Sequence, residues 1–101
     1  MRVRFSDEAK ARLRAIHAYI AKDSSRNADA MVDRITRRAM RIGDLSHAGR
    51  KVPEYSLDTL REVSEPPYRI IYRIKPGEIE IATLMHYRQL LPDDLLSAHA
   101  P

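Results

Sequence analysis

The apolar positions of the chain change period once, near the middle. In the first half they recur at helical spacing: Ala9, Leu13, Ile16 and Ile20, then Ala28, Met31, Val32, Ile35, Ala39 and Ile42. Before them, "MRVRF" suits a short strand. Ser6 is placed to cap the first helix, with Asp7 and Glu8 at the positive end of its dipole. "KDSSRN" interrupts the pattern, Ser24 or Ser25 can cap the second helix, and Gly43 marks its end. Two long helices with a short link predict an antiparallel hairpin.

The second half alternates. After a loop, "HAGRKVPEYSLD", come three candidate strands: "TLREVS", "YRIIYRI" and "EIEIATLMHY". Pro66 and Pro67 separate the first two. "KPGE" separates the others, with Gly77 supplying the positive φ of a tight turn. The predicted fold class is α+β: an N-terminal strand and an antiparallel helical hairpin packed on a small antiparallel β-sheet. Residues 1–101 read as one domain, with a mobile tail expected from about residue 92.

If Pro76 and Gly77 alone form the loop, the register follows. Lys75 faces Glu78, Ile74 faces Ile79, Arg73 faces Glu80 and Tyr72 faces Ile81. Continued without interruption, it sets Ile70 against Thr83, Arg69 against Leu84 and Tyr68 against Met85. The core face is then Tyr68, Ile70, Tyr72, Ile74, Ile79, Ile81, Thr83 and Met85. Arg69, Ile71, Arg73, Leu84 and His86 fall on the other face. Arg73 gains Glu80 as an ion-pair partner. Arg69 either lies diagonal to His86 as an anion contact, or pairs with Glu62 or Glu65 from the preceding strand.

Composition narrows the class. Apolar residues make up 44% of the chain and charged residues 32%, which fits a globular domain with one core. With no cysteine, neither disulfides nor thiolate-bound metal hold the fold, as expected in a reducing cytoplasm. Arg2 and Arg4 argue against a signal peptide, and no run approaches the ~20 apolar residues of a membrane span. The net charge of +4 favours an anionic partner: nucleic acid, ribosome or acidic protein. Arg34, Arg37, Arg38 and Arg41 give the second helix a basic surface for such a contact. His17, His47, His86 and His99 show no metal-ligand spacing, and no cofactor-binding loop is present.

Taken in order, "AIHAYIAKDSSRNADAMVDRI", "GRKVPE", "LREV", "YRIIYRI" and "EIEIATLMHYR" resemble the RelE/ParE superfamily of toxins from type II toxin–antitoxin, or plasmid-stabilisation, modules. The resemblance spans Val3 to Leu91. It implies a helical hairpin on an antiparallel sheet, and a hetero-oligomer with a cognate antitoxin whose tail wraps the toxin. The long hairpin and its "IxxYIAxD" texture look like the ParE branch, which implies inhibition of DNA gyrase. The RelE-like alternative is a metal-independent, ribosome-dependent mRNA endonuclease. That chemistry needs a base, an acid and cations around the phosphate. By resemblance Arg69, His86, Tyr87 and Glu54 would carry it. Arg61, Arg69, Arg88 and Lys51 are the candidate target or anion contacts. A third alternative is a relic that binds antitoxin without toxicity.

Overall fold

A computed structural model describes residues 1–55 and 57–89. The expected tail, with Leu91 and His99, lies outside the described residues. The elements run β1 (Arg2–Phe5), α1 (Asp7–Ala21), α2 (Ser25–Arg41), β2 (Arg50–Lys51), β3 (Leu60–Glu65), β4 (Tyr68–Lys75) and β5 (Glu78–His86). The strands form one five-stranded sheet in the order β1-β5-β4-β3-β2. All neighbours are antiparallel except β1, which runs parallel to β5. The α+β architecture is as expected. The parallel edge and the two-residue β2, inside the segment read as loop, are additions to it.

Local chemistry accounts for the hairpin. Ser6 and Ser24 cap the two helices, their side chains accepting from the amides of Ala9 and Asn27. Gly43 follows the end of α2 without a positive φ. Its missing side chain matters for another reason: a Cβ there would collide with the backbone oxygen of Met1. The Met1 ammonium donates to Gly43 O at 2.7 Å, fastening the start of β1 beneath the hairpin.

One face of the sheet meets the helices. Ile35, Ala39 and Ile42 pack on Ile70, Tyr72, Ile79, Ile81 and Leu84, all at most 2% exposed. Burial of each large side chain contributes roughly 1.5–3 kcal/mol. α1 is seated less deeply. Of its residues only Ala9 is fully buried, and Leu13, Ile16 and Ile20 are half-covered.

The β4–β5 register follows expectation from Lys75–Glu78 to Tyr72–Ile81, and Gly77 has the expected positive φ of 71°. Beyond Tyr72 it departs. Ile71 pairs with Thr83, so Ala82 is an extra residue on β5, a bulge. Its carbonyl is not lost: the Ser6 hydroxyl donates to Ala82 O at 2.8 Å. One extra residue exchanges faces for everything after it. Leu84 therefore joins the helix-facing core, and Met85 goes to the opposite face.

That opposite face carries a second, smaller core. Val52 and Tyr55, from the segment between β2 and β3, fold over Leu60, Ile71 and Met85. Ile71, expected beside the exposed arginines, is completely buried. Farther along this face the β1 edge is held by charge. Arg4 donates to Glu80 at 2.7 Å and, with Arg2, to Glu78. Glu80 also meets Lys75 at 3.4 Å, and Arg73 stands opposite it in the register, as expected.

Burial opposes ionisation of Glu80, but the Arg4 hydrogen bond and the Lys75 charge outweigh it and hold the carboxyl below its ordinary 4.5. Arg4 and then Arg2 likewise lower Glu78. A folded-state pKa below the unfolded one gives stability that is present above 4.5 and lost as pH falls through the depressed value. The urea midpoint should therefore decline below about pH 4.5, and Glu80→Gln should flatten that decline. An unchanged acid slope in the variant would detach Glu80 from the effect.

Candidate functional site

Arg69 sits on β4 and is only 6% exposed. β3 sets Ser64 opposite it and Glu62 two pairs along, on the same face. The segment after β2 brings Glu54 down from above. Nε and Nη2 donate to the two oxygens of Glu62 at 2.9 and 3.0 Å. Nη1 and Nη2 donate to the two oxygens of Glu54 at 2.9 and 2.8 Å. The remaining Nη1 hydrogen goes to Gln89 O at 3.1 Å. A guanidinium has five N–H donors, and here all five have acceptors. The bonds to Glu54 and Glu62 raise the Arg69 pKa despite burial, so the group is always charged.

Around this cluster lies a cleft of about 400 Å³, rimmed by Arg50, Pro53, Ser64 and Tyr87. Arg50 adds a second cation 3.5 Å from Glu62, so two arginines balance two carboxylates. The cleft thus brings together three of the residues singled out in the sequence: Arg69, Glu54 and Tyr87.

His86 is elsewhere. The bulge turns it to the helix-facing side, where it pairs with Tyr68 across the sheet. The two rings meet edge to face, with centroids 5.8 Å apart. It lines a different groove, of about 500 Å³, with Ile16, Tyr19, Tyr68 and Leu84. The diagonal relation of Arg69 to His86 read from the sequence is therefore absent. Arg69 has the other arrangement considered there, with Glu62, and Glu54 is added to it.

The other candidates are dispersed. Arg61 donates to Asp58 and to Gly49 O, bracing the turn before β3. Lys51 stands 3.8 Å from Asp58. Arg88 is exposed, its amide donating to His86 Nδ1. Along α2, Arg37 pairs with Asp33 and Arg34 approaches Glu65, while Arg38 and Arg41 border a cleft with Leu45. Among the described residues no group of three His, Cys, Asp or Glu side chains is placed to hold a metal ion.

The small core under Val52 and Tyr55 was not foreseen. The signal for it was the adjacent pair Ile70–Ile71, since two neighbouring apolar residues on one strand must face opposite sides.

Comparison with known proteins gives one family. The sequence profile described as the ParE toxin of the type II toxin–antitoxin system parDE matches residues 3–91. No curated protein matches the chain. Among solved structures it is similar to a chain of the chromosomal ParDE toxin–antitoxin system from P. aeruginosa. The TM-score is 0.71 at 21% identity, over 85% of this chain and 95% of that one. It is also similar to a chain of the RelBE2 toxin–antitoxin complex from Mycobacterium tuberculosis. There the TM-score is 0.53 at 24% identity, over 84% of this chain and 88% of that one.

Proposed function

Since the chain belongs to the ParE toxin family of type II toxin–antitoxin systems, we propose that it inhibits DNA gyrase in the cytoplasm by binding it, and that a cognate antitoxin neutralises it. The observation that carries this reading, against RNA cleavage, is the division of the would-be catalytic set. A self-cleaving RNA phosphodiester needs its base, its acid and its cation around one phosphate. Here Arg69 spends every donor on protein acceptors, and both Glu54 oxygens accept from it. His86 lies across the sheet. A toxin that works by binding needs no such assembly, only surface, and the basic outer side of α2 offers it. The complexes that gave the two similar structures are consistent with an antitoxin partner.

The test mixes the purified chain with gyrase and supercoiled plasmid, and separately with translating ribosomes and message. The expected result is accumulation of cleaved plasmid or loss of supercoiling, with message intact. Cut message with unaffected gyrase would replace this reading by the endonuclease. Neither effect would leave a chain that has lost its toxicity. In growing cells, co-expression of the small reading frame beside its gene should relieve the arrest.

A further inference from the structure

Arg34, Arg37, Arg38 and Arg41 follow the i, i+3, i+4, i+7 spacing that puts side chains on one face of a helix. Two of them have carboxylates nearby: Asp33 takes Arg37, and Glu65 approaches Arg34. Arg38 and Arg41 have no ion-pair partner among the described residues. They stand instead beside a groove of about 400 Å³ between the end of α2 and β3. The rest of its lining is apolar: the buried Ile42 and Val63, and the exposed Leu45 and Ala48. Leu45 is 69% exposed, and Met40, in the adjoining hollow with Arg37 and Arg41, is 52% exposed. The C-terminal end of a helix favours cations, which accounts for arginines at 38 and 41. It does not account for a leucine and a methionine left in water beside them.

A partner that answers both features carries carboxylates and an apolar side chain close together. Guanidinium forks match carboxylates two bonds at a time, and arginines around an apolar patch are the composition of protein interfaces. A phosphate backbone would satisfy the arginines and leave Leu45 and Met40 in water. We propose that this groove is the target contact, and that its occupant is an acidic segment of the gyrase protein. Asp or Glu side chains of that segment meet Arg38 and Arg41, and an apolar side chain covers Leu45 and Ala48. The assignment deepens the gyrase reading, on which it rests, by giving the place of the contact and the chemistry of the surface it meets. The same arginines steer an acidic partner toward α2 before contact, so association should be fastest at low salt.

Supercoiling by purified gyrase, titrated with the full chain, reads the contact. Arg38→Glu with Arg41→Glu should raise the half-inhibitory concentration by about 100-fold, and Leu45→Asn by about tenfold. Lys10→Glu with Arg14→Glu makes the same change of net charge at exposed positions of α1, and should shift it by less than about threefold. Leu45 is exposed, so Leu45→Asn keeps the fold and decides the matter if the double reversal on α2 unfolds. Equal losses in the two double variants would reduce the effect to net charge and overturn the proposal. So would full potency in Leu45→Asn. The chain has no cysteine, so Leu45→Cys can carry a single benzophenone. Irradiated with gyrase and plasmid, it should label the gyrase protein at a peptide rich in Asp and Glu. A label on the DNA would give the surface to nucleic acid, and no label would leave the groove without this occupant. A parent chain that leaves supercoiling untouched sinks the gyrase reading and this one with it. A parent that inhibits, with variants that match it, sinks only the α2 contact.

Discussion

Replacing Arg69 with alanine should remove about 3–5 kcal/mol of stability, because it strips two enclosed carboxylates of the guanidinium they share. Glu62 is 2% exposed, and Glu54 is tied down over the cleft by the same guanidinium. With a domain stability of about 5–15 kcal/mol, the variant approaches unfolding at moderate temperature. Arg69→Lys should rescue only part of the loss, since one ammonium cannot make two bidentate bridges. Removing the three enclosed charges together, with Arg69→Leu, Glu62→Leu and Glu54→Gln, should recover most of it. The desolvation cost then disappears along with the attraction. Urea unfolding of the single and triple variants separates the two costs. A single variant as stable as the parent would mean that the cluster is dispensable to the fold.

Ile71→Ala should be nearly as damaging as Ile81→Ala, each costing roughly 2–5 kcal/mol. Both side chains are fully buried, Ile81 under the helices and Ile71 under Val52 and Tyr55. The two variants should differ in what loosens first. Loss of Ile81 weakens the main core and should shift the whole unfolding transition. Loss of Ile71 undermines the segment carrying Glu54, so proteolytic cleavage near residues 52–58 should appear before global unfolding. If Ile71→Ala shifts stability by well under 1 kcal/mol, the second core contributes little.

These two residues also show where the sequence was legible. The hairpin, both serine caps, the turn at Gly77 and the register as far as Tyr72–Ile81 could be read from period and turn chemistry. The bulge could not, because Ala82 carries none of the marks of one: no glycine, no proline, no break in apolarity. That single residue moved Leu84 and Met85 to opposite faces and parted His86 from Arg69. The partners of Arg69 were legible in part. Glu62 lies on the preceding strand, where sequence pairing could place it. Glu54 comes from a segment with no period, and only its apolar neighbours Val52 and Tyr55 hinted that it packs down.

The position of β5 has a consequence during synthesis. It is the last strand of the described residues to be made, yet it lies inside the sheet, with β1 on one side and β4 on the other. The β1–β5 pairs join Arg2 to Glu78 and Phe5 to Ile81, so the first strand waits on the ribosome for nearly the whole chain before it has a neighbour. A nascent fragment ending before residue 78 has two helices and a β3–β4 hairpin with no strand to bridge them to β1. Interrupted translation before residue 78 therefore yields pieces that lack the strand joining β1 to β4 and cannot complete the sheet.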